Sequence, residues 1–350
     1  MNFKKLLLIV LAAAIAFGVL SCKKEEETTT YSSSFRSTPS FQLPDFVQVN
    51  ERYLLVPAEV ERELGDTCKL APGILWAATF TSTTRDTLRW EGEDPKLNDG
   101  SYILVIPDTL ITITLRCSAF AKGYYDSYYD SYCTVVDQER SLTGQGLDPA
   151  LKFPDERDEQ EYCYTVIGNL DFMSQNVAYK GNGEAEIGYS YYNSPIMDKI
   201  FGRMYTLDEA ASACPPGWRL PKQEDFNTIA RVFNPSASYS ATETMKNLAG
   251  HLMTDAYFNR TKMWEYWPKV NIDNATGFSA MPVGYATIDA EGNCQFKDTQ
   301  LRSMWWTGDM FNSNQGILKY IYADSPDVFC FAGHRDYLAA PVRCVREHVE

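Results

Sequence analysis

Histidine is scarce in this sequence, and no cysteine spacing suits metal or redox chemistry. The 350 residues include only three histidines, His251, His334 and His348, and the nine cysteines form no C-x-x-C pair. A structural zinc site or a thioredoxin-like redox centre needs such spacings, and no recognisable Ser/His/Asp pattern is present. We therefore expect no metal, no cofactor and no enzymatic activity.

Positive charge is also in short supply. Lysine and arginine total 32 against 46 aspartates and glutamates, which gives a formal net charge of -14. Nucleic-acid binding needs clustered Lys and Arg to neutralise phosphates, so this balance argues against nucleic acid as a partner. After an apolar run at residues 6–17, no second run long enough to suggest a membrane span follows.

The N-terminus has the features of a secretory signal. Lys4 and Lys5 precede the apolar run, which is too short for an ordinary transmembrane helix. The stretch "VLSC", ending at Cys22, resembles a bacterial lipobox. It predicts that residues 1–21 are a lipoprotein signal peptide and that Cys22 carries the lipid. An uncleaved membrane anchor is the alternative.

Residues 22–42 are polar, rich in Ser and Thr, and lack apolar periodicity. This composition predicts a flexible tether. The acidic run that follows Cys22 resembles the surface-export signals of Bacteroidetes lipoproteins. We therefore expect an outer-membrane lipoprotein that is attached to the membrane by its lipid and exposed at the cell surface. The sequence leaves open whether the anchor faces the periplasm or the medium.

Residues 43–140 alternate apolar runs with turn signals, as in "GILWAATF", "YILVIP" and "LITITLRCSAFA". Runs rich in Val, Ile, Thr and aromatic residues, without helical periodicity, predict an all-β sandwich. Its closing hairpin resembles that of a PKD-like or immunoglobulin-like domain. Residues 141–160 combine Gly, Pro and charge, which predicts a linker.

The closing hairpin contains "GYYDSYYDSY", where Tyr128 and Tyr129 are candidate ligand-binding residues. Tyrosines beside short polar residues suit recognition surfaces, because each offers a rigid ring and a hydroxyl. The alternative is that these tyrosines alternate between core and solvent around a turn.

Eight cysteines remain besides Cys22, and an even number in an oxidising compartment predicts disulfides. Cys117 and Cys133 would lie on neighbouring strands of the sandwich and could bond across the ladder. Sequence alone does not fix the pairing, because geometry decides it.

The region 161–350 introduces helical signals. Thr206 and Glu209 form a capping box before one apolar helical pattern, and "KQEDFNTIARVF" contains another. A second box, Ser240 and Glu243, precedes a third pattern. The first two patterns flank a predicted stiff corner, which directs Trp218 and Leu220 into the core and consists of Gly217, Trp218, Arg219, Leu220 and Pro221.

Five blocks of this region, in order, carry a family resemblance: "IGNLDFMSQNVAY", "FGRMYTLDEAASACPPGWRLPKQEDFNTIA", "GFSAMPVGYAT", "MWWTGDM" and "PVRCVRE". They resemble the Fibrobacter succinogenes major paralogous domain, which is similar in fold to C-type lectins. The resemblance implies an α+β C-type-lectin-like domain over residues 161–350, behind the all-β immunoglobulin/PKD-like sandwich. Lys222 departs from the family pattern, which places Thr or Ser as the helix cap.

The same resemblance implies disulfides. In C-type-lectin-like domains, a cysteine ending the first helix joins one in the last strand, which corresponds here to Cys214 and Cys344. Cys294 with Cys330 is implied as a second bridge. Cys68 and Cys163 remain as a weaker pairing, a clamp between the two domains.

Calcium-dependent C-type lectins carry an E-P-N or Q-P-D loop and a W-N-D strand, and none of these triplets occurs here. We interpret the nearest carboxylates, Asp273 and Asp309, as turn residues. Calcium-independent recognition remains. Aromatic rings near a surface can stack on sugars or anchor a protein interface, and the candidates are Trp264, Tyr266, Trp267 and Trp306. Trp305 and Trp306 would face opposite ways on a strand, one into the core and one towards solvent or a loop.

The sequence thus predicts a lipid-anchored surface protein for adhesion or ligand capture, whose C-type-lectin-like loops bind a glycan or a protein. The alternative among binding proteins is a fimbrial or cell-envelope assembly component. An enzyme of the formylglycine-generating type is the alternative from another class, because the "GWRLP" block also resembles that group.

Overall fold

The computed structural model describes residues 33–60, 74–81, 100–121, 123–183 and 186–349. The predicted signal peptide, Cys22 and Cys68 lie outside the described residues. The described chain is mostly β, with curled sheets. None of its helices has the length and apolar character needed to cross a membrane.

The strands of the described residues are short, and most are paired antiparallel. They are β1 Ser33–Ser34, β2 Phe46–Gln48, β3 Arg52–Leu55, β4 Ile74–Thr81, β5 Tyr102–Val105, β6 Thr112–Ala119, β7 Tyr124–Tyr125, β8 Ser127–Val136, β9 Leu142–Thr143, β10 Lys152–Pro154, β11 Glu161–Ile167, β12 Leu170–Met173, β13 Tyr189–Ser190, β14 Arg203–Tyr205, β15 Tyr257–Phe258, β16 Thr261–Lys262, β17 Tyr285–Ile288, β18 Cys294–Lys297, β19 Arg302–Asn312, β20 Gln315–Tyr322, β21 Phe329–His334, β22 Leu338–Pro341 and β23 Val345–Glu347.

Helices occur only in the C-terminal half of the described chain. They are α1 Asp198–Phe201, α2 Leu207–Ala213, α3 Gln223–Phe233 and α4 Ala249–Leu252, with 3-10 turns at Tyr191–Asn193 and Pro195–Met197.

In the N-terminal half, two sheets enclose one core. The larger sheet has the strand order β2-β8-β6-β4, and the smaller one pairs β3 with β5. Side chains of β6 alternate between buried and more exposed positions, as expected for a strand with one face on a core. Trp76, Leu104 and Ile113 lie at the centre of that core.

The segment predicted to be a flexible tether is ordered over its second part. Phe41 is buried, and its ring lies 5.0 Å from that of Trp76. The β1 strand pairs with β7, and the backbone N–H of Ala58 donates to the oxygen of Ser40 at 2.6 Å. The prediction fails for residues 33–42 because one large apolar side chain in a polar segment is enough to anchor it.

Cys117 and Cys133 form no disulfide. Both are buried free cysteines of the core, but Cys117 lies opposite Tyr129, whereas Cys133 lies opposite Ile113. This register separates them by four residues, roughly 13 Å along the strands, which is beyond disulfide reach. Burial raises the pKa of each thiol to about 12.

Residues 141–160, predicted to be a linker, are built into the C-terminal half. The β9 strand pairs with β15. Asp155 is fully buried and paired with Arg157, whose guanidinium donates to the carbonyl oxygens of Ser212 and Ala213 at 2.8 and 2.7 Å. A cation bound at the C-terminal end of α2 is favoured by the helix dipole.

The centre of the C-terminal half is the sheet of β19, β20 and β21. One face carries Trp305, which packs with Phe226 of α3 and Phe278 in what we call the Trp305 core. The other face carries Trp306, which packs with Tyr205 and Leu338 in the Trp306 core. Apolar side chains therefore cover both faces of this sheet.

The first two predicted helices are confirmed. The capping box of Thr206 and Glu209 is present at α2. At α3, the carboxylate of Asp225 accepts from the backbone N–H of Lys222, and Asp309 accepts from that of Gln223, both at 2.6 Å. Asp309 lies in β19 and not in a turn, so a neighbouring strand supplies the cap that Lys222 lacks.

The third helical pattern gives less helix than predicted. The carboxylate of Glu243 accepts from the backbone N–H of Ser240, as a capping box requires, but the residues between them form a turn. Only Ala249–Leu252 is helical. Met245 instead forms an isolated bridge with Val328, which competes with helix formation there.

The corner between α2 and α3 is structural. Gly217 has a φ of 81°, which favours glycine over residues with a side chain. The Trp218 ring is stacked on Phe153 at 4.4 Å, and Leu220 is buried beside it in the Trp306 core. The Arg219 guanidinium forms two hydrogen bonds with the Asp225 carboxylate, which ties the corner to the first turn of α3.

The disulfide between Cys214 and Cys344 is present, as the family resemblance implied, and it joins residues 130 apart in the chain. We predict that Cys214→Ser combined with Cys344→Ser lowers the free energy of unfolding by about 4 to 5 kcal/mol, because the bridge restricts the unfolded chain. Urea denaturation measures this loss. A change below about 1 kcal/mol would contradict it.

Asp309→Ala is expected to lower the free energy of unfolding by about 1 kcal/mol, because α3 loses its cap. Asp324→Ala, which removes an exposed carboxylate, is the matched control and should change little. Equal effects of the two substitutions in chemical denaturation would show that Asp309 is not the cap.

Candidate functional site

The loop that contains Trp264, Tyr266 and Trp267 does not form a three-ring platform. The Trp264 side chain is buried in the Trp305 core, and its Nε1 donates to the oxygen of Ala280 at 2.9 Å. Tyr266 and Trp267 are 75% and 41% exposed. The assignment of Trp264 to a ligand surface is therefore wrong, because the core recruits its ring and its N–H.

Trp306 is not a surface residue either. Both Trp305 and Trp306 have zero exposure, and the Trp306 Nε1 donates to the oxygen of Tyr205 at 2.8 Å. The two rings point to opposite faces, as predicted. The expectation that one meets solvent or a loop fails because each face carries its own core.

The tyrosine-rich hairpin places its two candidates differently. Tyr129 packs inward, with its ring 5.2 Å from that of Phe41. Tyr128 is 53% exposed and lies against the Arg116 guanidinium, 4.1 Å from the ring centre. Arg116 also pairs with Asp130 through two 2.7 Å hydrogen bonds.

The outer face of the larger N-terminal sheet carries Tyr128, Arg116 and Asp130. Side chains two residues apart on a strand share a face, so Tyr128, Asp130 and Tyr132 of β8 lie on one side. Arg116 of β6 is opposite Asp130 and joins them. We call this set the tyrosine face. Tyr132, which the sequence analysis did not select, is its most exposed member at 61%.

A concave feature of the described part of the chain lies between its two halves and has a volume of about 350 Å³. We call it the interdomain cleft. Its lining residues come from β2, β6, β8 and the loop before β6 on one side, and from the C-terminal half on the other. They are Phe46, Leu110, Ile111, Thr112, Thr134, Tyr191, Phe201, Phe258, Asn259, Thr261, Lys262, Met263, Pro282 and Gln300.

Strand pairing determines the N-terminal wall of the cleft. Thr134 pairs with both Thr112 of β6 and Phe46 of β2, which forms one cross-strand row. The Phe46 ring lies 6.0 Å from that of Tyr191 and 6.2 Å from that of Phe258. These aromatic contacts join the two walls.

Asn259 connects the two walls by hydrogen bonds. Its Nδ2 donates to the carbonyl oxygen of Val135 at 2.9 Å. Its backbone N–H donates to the carbonyl oxygen of Ser141 at 2.8 Å. Its Oδ1 is buried and has no partner within the described chain. A buried acceptor without a donor is costly to the fold.

The chemistry of the cleft suits binding. Lys262 is the only charged group among its described lining residues, and its amine pairs with Asp255 at 2.6 Å. Those lining residues include no histidine, cysteine or carboxylate. Across the described ranges, no three His, Cys, Asp or Glu side chains converge on a possible metal position. The cleft therefore combines aromatic rings with hydroxyl and amide groups.

The second implied disulfide, between Cys294 and Cys330, is not formed. Cys294 lies in β18 of the five-stranded sheet, whereas Cys330 lies in β21 of the three-stranded sheet, and both are free cysteines. The Cys330 Sγ instead donates to the oxygen of Thr242 at 2.9 Å, whereas Cys294 packs against a separate core that contains Ala286. Cys163 is also free, and its suggested partner Cys68 lies outside the described residues.

The fold and cleft define a mostly β protein whose two halves enclose a ligand-sized site. The chain belongs to the Fibrobacter succinogenes major domain family, whose model matches residues 166–346. No curated protein and no solved structure matches the chain. The family match covers one wall of the cleft, and the other wall comes from residues that precede it.

Trp264→Ala is expected to lower the free energy of unfolding by about 3 to 5 kcal/mol, because it leaves a cavity in the Trp305 core. Tyr266→Ala, in the same loop, should change it by less than about 0.5 kcal/mol. Denaturant titration of both variants tests the assignment. Similar stabilities would contradict the burial of Trp264.

Proposed function

We propose that this protein is a lipid-anchored, outer-membrane binding protein that holds a short saccharide in its interdomain cleft, without calcium and without catalysis. The observation that carries the proposal is the cleft itself, whose aromatic rings lie beside hydroxyl and amide side chains. Its volume of about 350 Å³ falls within the range of roughly 300–1,000 Å³ common for ligand pockets.

A saccharide fits this combination of groups. The C–H face of a sugar ring packs on aromatic rings such as those of Tyr191 and Phe258, while its hydroxyls both donate and accept hydrogen bonds. The Gln300 amide offers both an acceptor and donors, and the Lys262 amine offers further donors at the same wall. A purely apolar ligand would leave these polar groups without partners, at a cost in affinity.

The tyrosine face extends the site. Thr134 lines the cleft, and Tyr132, Asp130 and Tyr128 follow it on the same face of β8 by the two-residue period of a strand. Tyr128 and Tyr132 are therefore roughly 13 Å apart along the strand. A linear oligosaccharide with one end in the cleft would continue over these rings.

The proposal also includes lipid attachment at Cys22, a C-type-lectin-like fold for the C-terminal half and an immunoglobulin- or PKD-like sandwich for the N-terminal half. The "VLSC" stretch supports lipid attachment at Cys22, and the acidic segment behind it supports exposure to the medium. The pairing of β12 with β23 and the Cys214–Cys344 bridge support a C-type-lectin-like layout. The two sheets around Trp76 support an immunoglobulin- or PKD-like sandwich.

The exposed tyrosines also favour a second candidate, a fimbrial or cell-envelope component whose partner is a protein. Tyrosine and arginine are enriched at protein interfaces, and the tyrosine face presents both. We rank it second because the Arg116–Asp130 ion pair makes the centre of this face polar, whereas the cleft is concave and lined by aromatic rings. Formylglycine-generating enzymes use a close pair of cysteines near the C-terminal end, for which Cys330 and Cys344 would be the candidates here. This alternative gains no support, since Cys344 is bonded to Cys214.

Thr112→Trp, which fills the cleft with an indole, should weaken saccharide binding at least about tenfold, equivalent to about 1.4 kcal/mol. The measurement is a screen of the purified protein on a glycan array, followed by calorimetric titration of the best saccharide, with and without chelator. Ser238→Trp places the same ring on an exposed loop after α3, outside the cleft and away from the tyrosine face, and should bind normally.

Three results would count against the proposal. They are the absence of any saccharide binding by the native protein, equal affinities of the two tryptophan variants, and loss of binding in chelator. Saccharides of different lengths distinguish binding in the cleft from binding on the tyrosine face. Tyr128→Ala with Tyr132→Ala should weaken binding of a hexasaccharide several-fold and leave that of a disaccharide unchanged.

A further inference from the structure

A buried lysine and a cysteine lie side by side in the central sheet of the C-terminal half. Lys319 of β20 and Cys330 of β21 are directly opposite each other. Cross-strand partners have Cβ atoms about 4.5 to 5.5 Å apart, and their side chains lie on the same face of the sheet. Lys319 is also opposite Trp305, so both residues are on the Trp305 face.

Lys319 is unusual because it is fully buried and lacks an acidic partner. Its side chain has zero exposure, and no ion pair joins it to a carboxylate in the described residues. Lysine is almost never fully buried unless it is paired, because an unpaired charge is expensive to desolvate. Burial lowers the pKa of Lys319, an effect that Cys330, Asp309 and Glu243 partly oppose, so its amine loses a proton more readily than that of an exposed lysine.

The reactive atoms of the pair converge on one short stretch of backbone. The Lys319 Nζ donates to the oxygen of Ala241 at 3.0 Å, and the Cys330 Sγ donates to that of the next residue, Thr242, at 2.9 Å. Carbonyl groups of consecutive residues hold the amine and the thiol together. Cys330 is half-buried, so a small oxidant can reach its sulfur.

We propose that Lys319 and Cys330 form an oxidation-dependent sulfenamide, a covalent N–S bridge between β20 and β21. A hydroperoxide first oxidises the thiol by two electrons: its O–O bond breaks, the sulfur becomes a sulfenic acid, and water or an alcohol leaves. The neutral amine then attacks that sulfur. The N–S bond forms, the S–O bond breaks, and the hydroxyl leaves with an amine proton as water.

The proposed bridge gives a role to Lys319 and Cys330, neither of which belongs to the proposed saccharide site. Sulfenic acids condense readily with nearby nitrogen or thiol groups, and no cysteine of the described chain is bonded to Cys330. The bridge would join the adjacent strands β20 and β21 covalently. It is independent of ligand binding at the cleft, because neither residue lines it.

Peptide mass spectrometry tests the proposal on the intact protein treated with hydrogen peroxide. Trypsin normally separates residues 303–319 from residues 320–335, because it cleaves after Lys319. The bridge should block that cleavage and give one peptide, 303–335, that is two hydrogen atoms lighter. Treatment with dithiothreitol should restore the two separate peptides.

Matched variants identify the partner of the sulfur. In Lys319→Met, which keeps the length of the side chain, labelling of Cys330 by dimedone, a sulfenic-acid reagent, should rise several-fold over the native protein. Cys163 and Cys294, the other half-buried free cysteines, should label equally in both proteins. Cys330→Ser should give no bridge, and it serves as the second test if Lys319→Met fails to fold.

Two results would overturn the proposal. One is peroxide-treated native protein that still yields the separate peptides 303–319 and 320–335 with an oxidised Cys330. The other is a bridge of the same mass that connects Cys330 to a residue other than Lys319.

Discussion

The sheet of β19, β20 and β21 must be covered on both faces, and this requirement determines which aromatic side chains remain available for binding. Trp305 and Trp306 are consecutive, so they fill two different cores. Helix α3 covers the first face, and helix α2 covers the second. The Cys214–Cys344 disulfide then fixes the end of α2 to the strands that close the domain.

Trp305 and Trp306 are buried in the two cores, so the exposed aromatic rings lie on other elements. Trp264 is anchored to Ala280 beneath the surface, whereas Tyr128 and Tyr132 project from the N-terminal sheet. The interdomain cleft exists because residues 141–160 pack onto the C-terminal half and hold both walls in place. The binding that we propose at the cleft would thus depend on the two halves together, because residues of both line the cleft.

The elements that could be predicted from the sequence are those that depend on residues close together in the chain. The capping box of Thr206 and Glu209, the apolar spacing of α3 and the Gly217 corner depend on residues a few positions apart. The Cys214–Cys344 bridge became predictable only through the family resemblance, since the pairing spans 130 residues. The cap that Asp309 supplies to α3 gave no sequence signal, because strand and helix meet only in the fold.

The candidate site was harder to predict, because it depends on register and on contacts between the halves. Tyr128 and Tyr132 share a face with Thr134 by simple alternation, yet only the pairing of Thr134 with Phe46 shows that this face leads into a cleft. Likewise, exposure of Trp264 and Trp306 could not be judged without knowing that both faces of the central sheet are covered. Burial of Phe41 shows the same dependence on tertiary contacts.

The most direct test of the central claim is hydrogen–deuterium exchange of the native protein with and without a saccharide identified by array. We expect protection to increase at the segments that line the cleft, around residues 110–112, 132–136 and 257–263, while residues 265–269 remain unchanged. Protection confined to residues 265–269 would contradict it, because binding would then occur at the exposed loop and not between the two halves.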